Sequence, residues 1–227
     1  MKTIKFSHIT KNAGTTIVHV AYENKIKWGW REKDFWKNLM CFSKYKSNAP
    51  WHLPLSFVEN KDLLQEVFSQ YSFFTVVRNP YERCISEYYC NFGGPEVKSD
   101  NKDHINFYIK EKLMNVKVFN YKSYHFIPQF FYVYNANNEK IIEHVLKYEN
   151  VACEFDALMK KYNNKFNYIE NYTNNKSLNK EFKQYDLSKE NIKLIQEVYY
   201  KDFIFFNYDL EPVINDVDFQ LIKKNTL

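Results

Sequence analysis

Residues 6–16, Phe6-Ser7-His8-Ile9-Thr10-Lys11-Asn12-Ala13-Gly14-Thr15-Thr16, decide how this chain is read. They predict a strand running into a turn of small residues, with one lysine and two hydroxyls where a helix begins. Such a turn binds an anion. Backbone N–H groups and the helix dipole point at the ligand, and Lys11 supplies a full charge. The order of residues narrows the choice. A nucleoside-triphosphate loop reads G-x-x-x-x-G-K-[ST], with its lysine directly after a glycine. Here Lys11 precedes Gly14 and the first glycine is missing. The loop suits a phosphate-like group without being a standard triphosphate cradle. Taken alone, the same residues also fit an ordinary polar turn.

A second segment narrows the reading further. Tyr71-Ser72-Phe73-Phe74-Thr75-Val76-Val77 is an aromatic and β-branched run of the kind that forms a buried parallel strand. Arg78-Asn79-Pro80-Tyr81-Glu82-Arg83 follows, and Pro80 fits the first turn of a helix, where its missing N–H costs nothing. Arg78 therefore falls at the carboxyl end of a strand, where open α/β sheets place their ligands. Ser86 falls about two turns into the next helix. An arginine fork with a hydroxyl is a sensible receptor for a second phosphate. The alternative use of such arginines is pairing with Glu82 or Glu87, and for Arg83 that structural use is the preferred reading.

Together the two segments resemble the sulfotransferases that use 3′-phosphoadenosine 5′-phosphosulfate (PAPS). Lys11-Asn12-Ala13-Gly14-Thr15-Thr16 is similar to their 5′-phosphosulfate loop. Val77-Arg78-Asn79-Pro80-Tyr81-Glu82-Arg83-x-x-Ser86-x-Tyr88 is similar to their 3′-phosphate motif. The pattern is nearest the carbohydrate (Golgi-type) branch. Later pieces fit as well: His125-Phe126-Ile127-Pro128-Gln129, Leu146-Lys147-Tyr148-Glu149-Asn150-Val151 with Phe155, Tyr199-Tyr200-x-Asp202 and Phe206-x-Tyr208. There are departures: Thr10 stands where the family often has proline, and Asn12-Ala13 replaces the usual Thr-Gly.

The resemblance implies a fold and a chemistry. The fold is α/β, a P-loop-like parallel sheet flanked by helices, in a single sulfotransferase-like domain over 1–227. Lys11 would stabilise the leaving 5′-phosphate of adenosine 3′,5′-bisphosphate (PAP). Asn12, Ala13, Gly14, Thr15 and Thr16 would complete the cofactor loop, and Arg78 and Ser86 would hold the 3′-phosphate. Transfer to a hydroxyl also needs a general base. Relatives with a histidine before the second strand use it so, which points to His52 in Trp51-His52-Leu53-Pro54; neighbouring branches use a glutamate. His125 and Gln129 are candidates for contacts to the substrate. Among the other histidines, His8 could line the cleft or pack in the core, and His19, His104 and His144 have no motif support. Trp51 fits stacking on adenine or plain packing equally. No metal is required, and the acceptor is expected to be a glycan hydroxyl.

Composition is compatible with this. A chain of 227 residues fits one α/β domain with a substantial core. The net charge of +5 suits an anionic cofactor and falls short of a nucleic-acid signature. Met1-Lys2-Thr3-Ile4 leads directly into the first strand without an apolar leader, and no stretch is long enough to span a bilayer. A soluble or cytoplasmic location is therefore the expectation. Cys41, Cys84, Cys90 and Cys153 lack C-x-x-C spacing and read as buried thiols.

The patterning predicts strands at 3–8 and 72–77 and a short strand near 130–134; residues 140–148 alternate enough for a strand, with helix the alternative. Helices are expected at 14–24, 31–44, 59–70, 80–91, 103–115, 150–162 and 188–200, with Gly93-Gly94-Pro95 ending one of them. Asn174-Asn175-Lys176 reads as a flexible loop, and a late loop in this family often closes over the cofactor. Two other function classes stay open at this point. One is a P-loop kinase, disfavoured by the misplaced lysine and the lack of a metal-binding Asp motif. The other is a catalytically silent nucleotide- or glycan-binding protein on the same scaffold.

Overall fold

A computed structural model of the chain describes residues 2–117, 124–169 and 182–210. In chain order the elements are β1 (Thr3–Phe6), α1 (Gly14–Glu23), α2 (Lys33–Cys41), α3 (Lys61–Gln70), β2 (Tyr71–Val77), α4 (Pro80–Tyr88), α5 (Lys102–Lys117), α6 (Phe130–Val133), β3 (His144–Lys147), α7 (Val151–Lys161), α8 (Lys189–Val198) and α9 (Tyr200–Phe205). Single 3₁₀ turns at Pro50–His52 and Leu55–Phe57 fill the proline-broken stretch before α3. The α/β fold with its parallel sheet flanked by helices is that of a single sulfotransferase domain, within which the contacts group the chain into two compact units. One comprises Met1–Arg78 with Tyr121–Leu178, and the other Asn79–Asn120 with Asn179–Leu227.

The first unit carries the sheet. Among the described residues three strands run parallel in the order β1-β2-β3, with Phe6 beside Phe74 and Val77 beside Lys147. Ser72 to Val77 in the central strand are all buried, as a parallel strand covered on both faces requires. Alternation divides its side chains between two faces. Phe74 and Val76 enter a core with Phe6, Ile17, Val18, Trp28, Leu146, Phe155 and Met159, which brings α1 and α7 onto one face. Phe73 turns the other way, with ring centroids 6.4 Å from Trp36 and 5.8 Å from Phe68. A fully buried aromatic of this size contributes roughly 1.5–3 kcal/mol over an exposed one. β1 also carries Lys5, a buried cation that pairs with Glu32 and lies 4.3 Å from the ring centroids of both Phe35 and Tyr71.

The second unit is helical among the described residues. α5 buries Ile105, Ile109 and Leu113 on its inward face, and the pairs Lys110–Glu190 and Lys117–Glu197 tie it to α8. α4 opens as its sequence dictates. Asn79 caps it by accepting from the Tyr81 N–H at 3.0 Å, and Pro80 sits in its first turn. α4 ends at Tyr88, earlier than expected, and Cys90 falls in the turn beyond it.

Two element readings are corrected. Residues 130–133 are a helical turn, not a strand. Pro128 fixes the entry, the Phe131 and Tyr132 N–H groups reach back to Pro128 and Gln129, and Phe130 stacks on Tyr134 with centroids 5.1 Å apart. The strand expected over 140–148 shrinks to His144–Lys147. The thiol reading is corrected in part: Cys84 and Cys90 are buried, but Cys41, the last residue of α2, and Cys153 on α7 are exposed. Asn174-Asn175-Lys176 lies outside the described residues. No helix among the described residues is long and apolar enough to cross a membrane.

Candidate active site

The loop between β1 and α1 carries backbone strain. Lys11 and Ala13 both adopt left-handed backbone, with φ of 62° and 61°, a conformation costing roughly 1–3 kcal/mol for a non-glycine residue. Such a conformation persists only where its surroundings over-determine it, and here they do. The Asn12 side chain is fully buried and donates to the Val76 carbonyl at 2.8 Å and to Gln129 Oε1 at 2.6 Å. Thr10 Oγ1 donates to the His125 carbonyl at 3.0 Å. That bond explains the departure at this position, because a proline there has no hydroxyl to give. Arg78 Nη1 donates to the Lys11 carbonyl at 3.2 Å, tying the end of β2 to this loop.

α1 begins immediately after this loop. Its first turn holds Gly14, Thr15 and Thr16 and no acidic residue, so the positive end of the helix dipole is not offset from within the helix. Ala13, in the N-cap position, offers no side-chain cap. Lys11, Thr15 and Thr16 are half-exposed, while Asn12 is turned inward. This arrangement fits an anionic phosphosulfate: backbone donors, hydroxyls and one lysine, undiluted by carboxylates.

Arg78 stands one residue beyond β2. Its guanidinium carbon lies 4.1 Å from the centroid of the Tyr148 ring, a cation–π contact that orients the fork. The register explains it: Val77 pairs with Lys147, so the next residue on each strand falls side by side. The strand register is the signal that would have marked Tyr148. Ser86 is buried on α4, in the second unit. Arg83, in the same helix, is buried with its guanidinium 6.0 Å from the Tyr199 ring.

Three histidines gather beside the loop. His52 Nδ1 lies 2.8 Å from the His8 carbonyl oxygen, which can only accept, so Nδ1 carries the proton and Nε2 is the basic nitrogen. The His52 ring centroid is 4.3 Å from that of His8 and 6.1 Å from that of His125. His8 itself is buried, and its pKa is held well below the usual histidine value, first by desolvation and then by His52 and His125. At neutral pH His8 is therefore an uncharged neighbour of His52.

His8 also explains Gly14. A Cβ on Gly14 would lie 1.8 Å from His8 Nε2, so no larger residue fits while the ring keeps its place. Gly14→Ala is expected to destabilise the fold by roughly 1–3 kcal/mol, read as a lower melting temperature. A melting temperature equal to that of the parent would show that the ring is free to move aside.

Gln129 is fully buried, and its amide bonds to Arg78 and Asn12. His125 is half-buried, and Trp51 is half-buried with its ring centroid 5.8 Å from that of His52.

The chain matches the sulfotransferase family over residues 2–209, a span running through both compact units, and it belongs to that family, the carbohydrate sulfotransferase family. It is therefore a sulfotransferase, an enzyme that draws its sulfuryl group from PAPS. The kinase reading falls away with that membership. No curated protein and no solved structure matches the chain significantly.

Proposed function

We propose that the chain transfers the sulfuryl group of PAPS to a carbohydrate hydroxyl, with Lys11 and His52 as its catalytic residues. The observation that carries this reading is the tie between the end of β2 and the anion loop: Arg78 reaches the Lys11 carbonyl beside an acid-free helix start. Bound PAPS supplies an electrophilic sulfur with PAP as its leaving group. Lys11, with the first-turn N–H groups and the Thr15 and Thr16 hydroxyls, neutralises charge building on the 5′-phosphate side. Arg78 takes the 3′-phosphate. His52 Nε2 removes the acceptor hydroxyl proton as the oxygen–sulfur bond forms and the sulfur–phosphate-oxygen bond breaks. His125, with its ring centroid 6.1 Å from that of His52, is the candidate for a contact to the acceptor. The lysines between Lys25 and Lys46 favour an acidic acceptor by charge.

Incubation with sulfur-labelled PAPS and a panel of glycans, tyrosyl peptides and small alcohols tests the acceptor class. Label on a glycan with release of PAP is the expected result. Label only on a non-carbohydrate acceptor would overturn the carbohydrate assignment. For the cofactor, Arg78→Ala is expected to weaken PAP binding by about 10- to 100-fold, the loss of a charge-assisted fork, with little change for adenosine 5′-monophosphate (AMP). Equal losses for the two nucleotides would remove Arg78 from the 3′-phosphate.

A further inference from the structure

We infer that Gln129 is a positioning residue for the 3′-phosphate arginine; this rests on the assignment of Arg78 to that phosphate. Arg78 lies one residue past the last β2–β3 pair, so the ladder stops short of its peptide groups. The Gln129 amide takes the place of a strand neighbour. Its Oε1 accepts from the Arg78 N–H at 2.8 Å and its Nε2 donates to the Arg78 carbonyl at 2.8 Å. The orientation of the amide is fixed, because a backbone N–H can only donate and must face the oxygen.

The same Oε1 accepts from Asn12 Nδ2 at 2.6 Å. Arg78 in turn donates to the Lys11 carbonyl at 3.2 Å, and Lys11 adjoins Asn12 in the chain. The result is a closed ring through Gln129, Arg78, Lys11 and Asn12. One buried amide thereby sets the strand end that carries the arginine and the loop that carries the lysine at a fixed separation. PAPS presents its two phosphate ends at a fixed separation too, so a frame that holds both receptors in advance lowers the ordering cost of binding. Gln129 does this without touching the ligand.

The test is a double-mutant cycle on the full chain, with PAP and AMP affinities measured by calorimetry for the parent, Gln129→Ala, Arg78→Ala and the double variant. Gln129→Ala is expected to lower the PAP-over-AMP preference by about tenfold, the value of one well-placed polar contact, with AMP affinity nearly unchanged. The double variant should match Arg78→Ala alone, because Gln129 acts through that arginine. A preference retained in Gln129→Ala, or losses that simply add in the double variant, would overturn the inference. A parent without preference, or a preference that survives Arg78→Ala, would overturn the arginine assignment itself and the inference with it. Should Gln129→Ala fail to fold, Gln129→Glu decides. A protonated carboxyl can replace the amide donor and a carboxylate cannot, so its preference should fall relative to the parent as pH rises. A ratio to the parent that does not change with pH would overturn the inference.

Discussion

Lys11→Ala is expected to lower turnover by about 10²–10³-fold while PAP affinity stays within a few-fold, the signature of a donor used chiefly in the transition state. The lysine sits on a left-handed backbone in a loop held by Asn12, Thr10 and Arg78, so its placement does not depend on its own side chain. Truncation should therefore leave the loop in place. In the ground state the 5′-phosphate charge is shared among backbone donors, hydroxyls and the lysine. As the sulfur–oxygen bond breaks, negative charge grows on the leaving oxygen, and a full ammonium charge matters most there. Single-turnover kinetics with labelled PAPS, paired with PAP titration, separate the two effects. Turnover close to that of the parent would take Lys11 out of the chemical step, and a parallel collapse of PAP affinity would make it a binding residue.

The second large effect is expected at His52. His52→Asn keeps a donor near the His8 carbonyl, which now receives the Nδ1 proton at 2.8 Å, but offers no basic nitrogen. Loss of a general base costs about 10²–10⁴-fold in rate, so kcat should fall by that order with PAP affinity unchanged. The pH profile is the sharper readout. The acid limb of kcat/KM should be present in the parent and absent in the variant, since protonated His52 cannot accept the acceptor's proton. Retention of that limb in His52→Asn would move the base to another group, with His125, whose ring centroid is 6.1 Å away, the next to replace.

The sequence exposes what depends on neighbours along the chain. β1, the anion loop, α1, β2 and the start of α4 all carry local signals: an apolar run, small residues, a strand-terminal arginine, and Asn79-Pro80 as cap and first turn. The parallel sheet follows from two such units. Contacts made across long separations are invisible to this reading. Thr10 meets His125 across 115 residues, and Asn12 meets Gln129 across 117. Asn12 lies in the anion-loop motif, and its side-chain amide faces the interior, bonded to the Val76 carbonyl and to Gln129. Gln129 falls in the same family-like piece as His125, which points to a substrate contact, and its amide is buried against Arg78. No local signal marks Tyr148; the register of β3 sets it against the Arg78 guanidinium. The aromatic run at 130–133 shows the converse: its β-type residues predict a strand, and Pro128 and ring stacking make a turn.

Calorimetric titration of the parent protein with PAP, AMP and ATP–magnesium tests the central claim most directly, that Lys11 and Arg78 form one receptor for the two phosphate ends of PAPS. A preference for PAP of at least about tenfold over both competitors is predicted, since the 3′-phosphate alone engages the charge-assisted fork. Equal affinity for PAP and AMP would contradict the pairing of the two motifs as a single site.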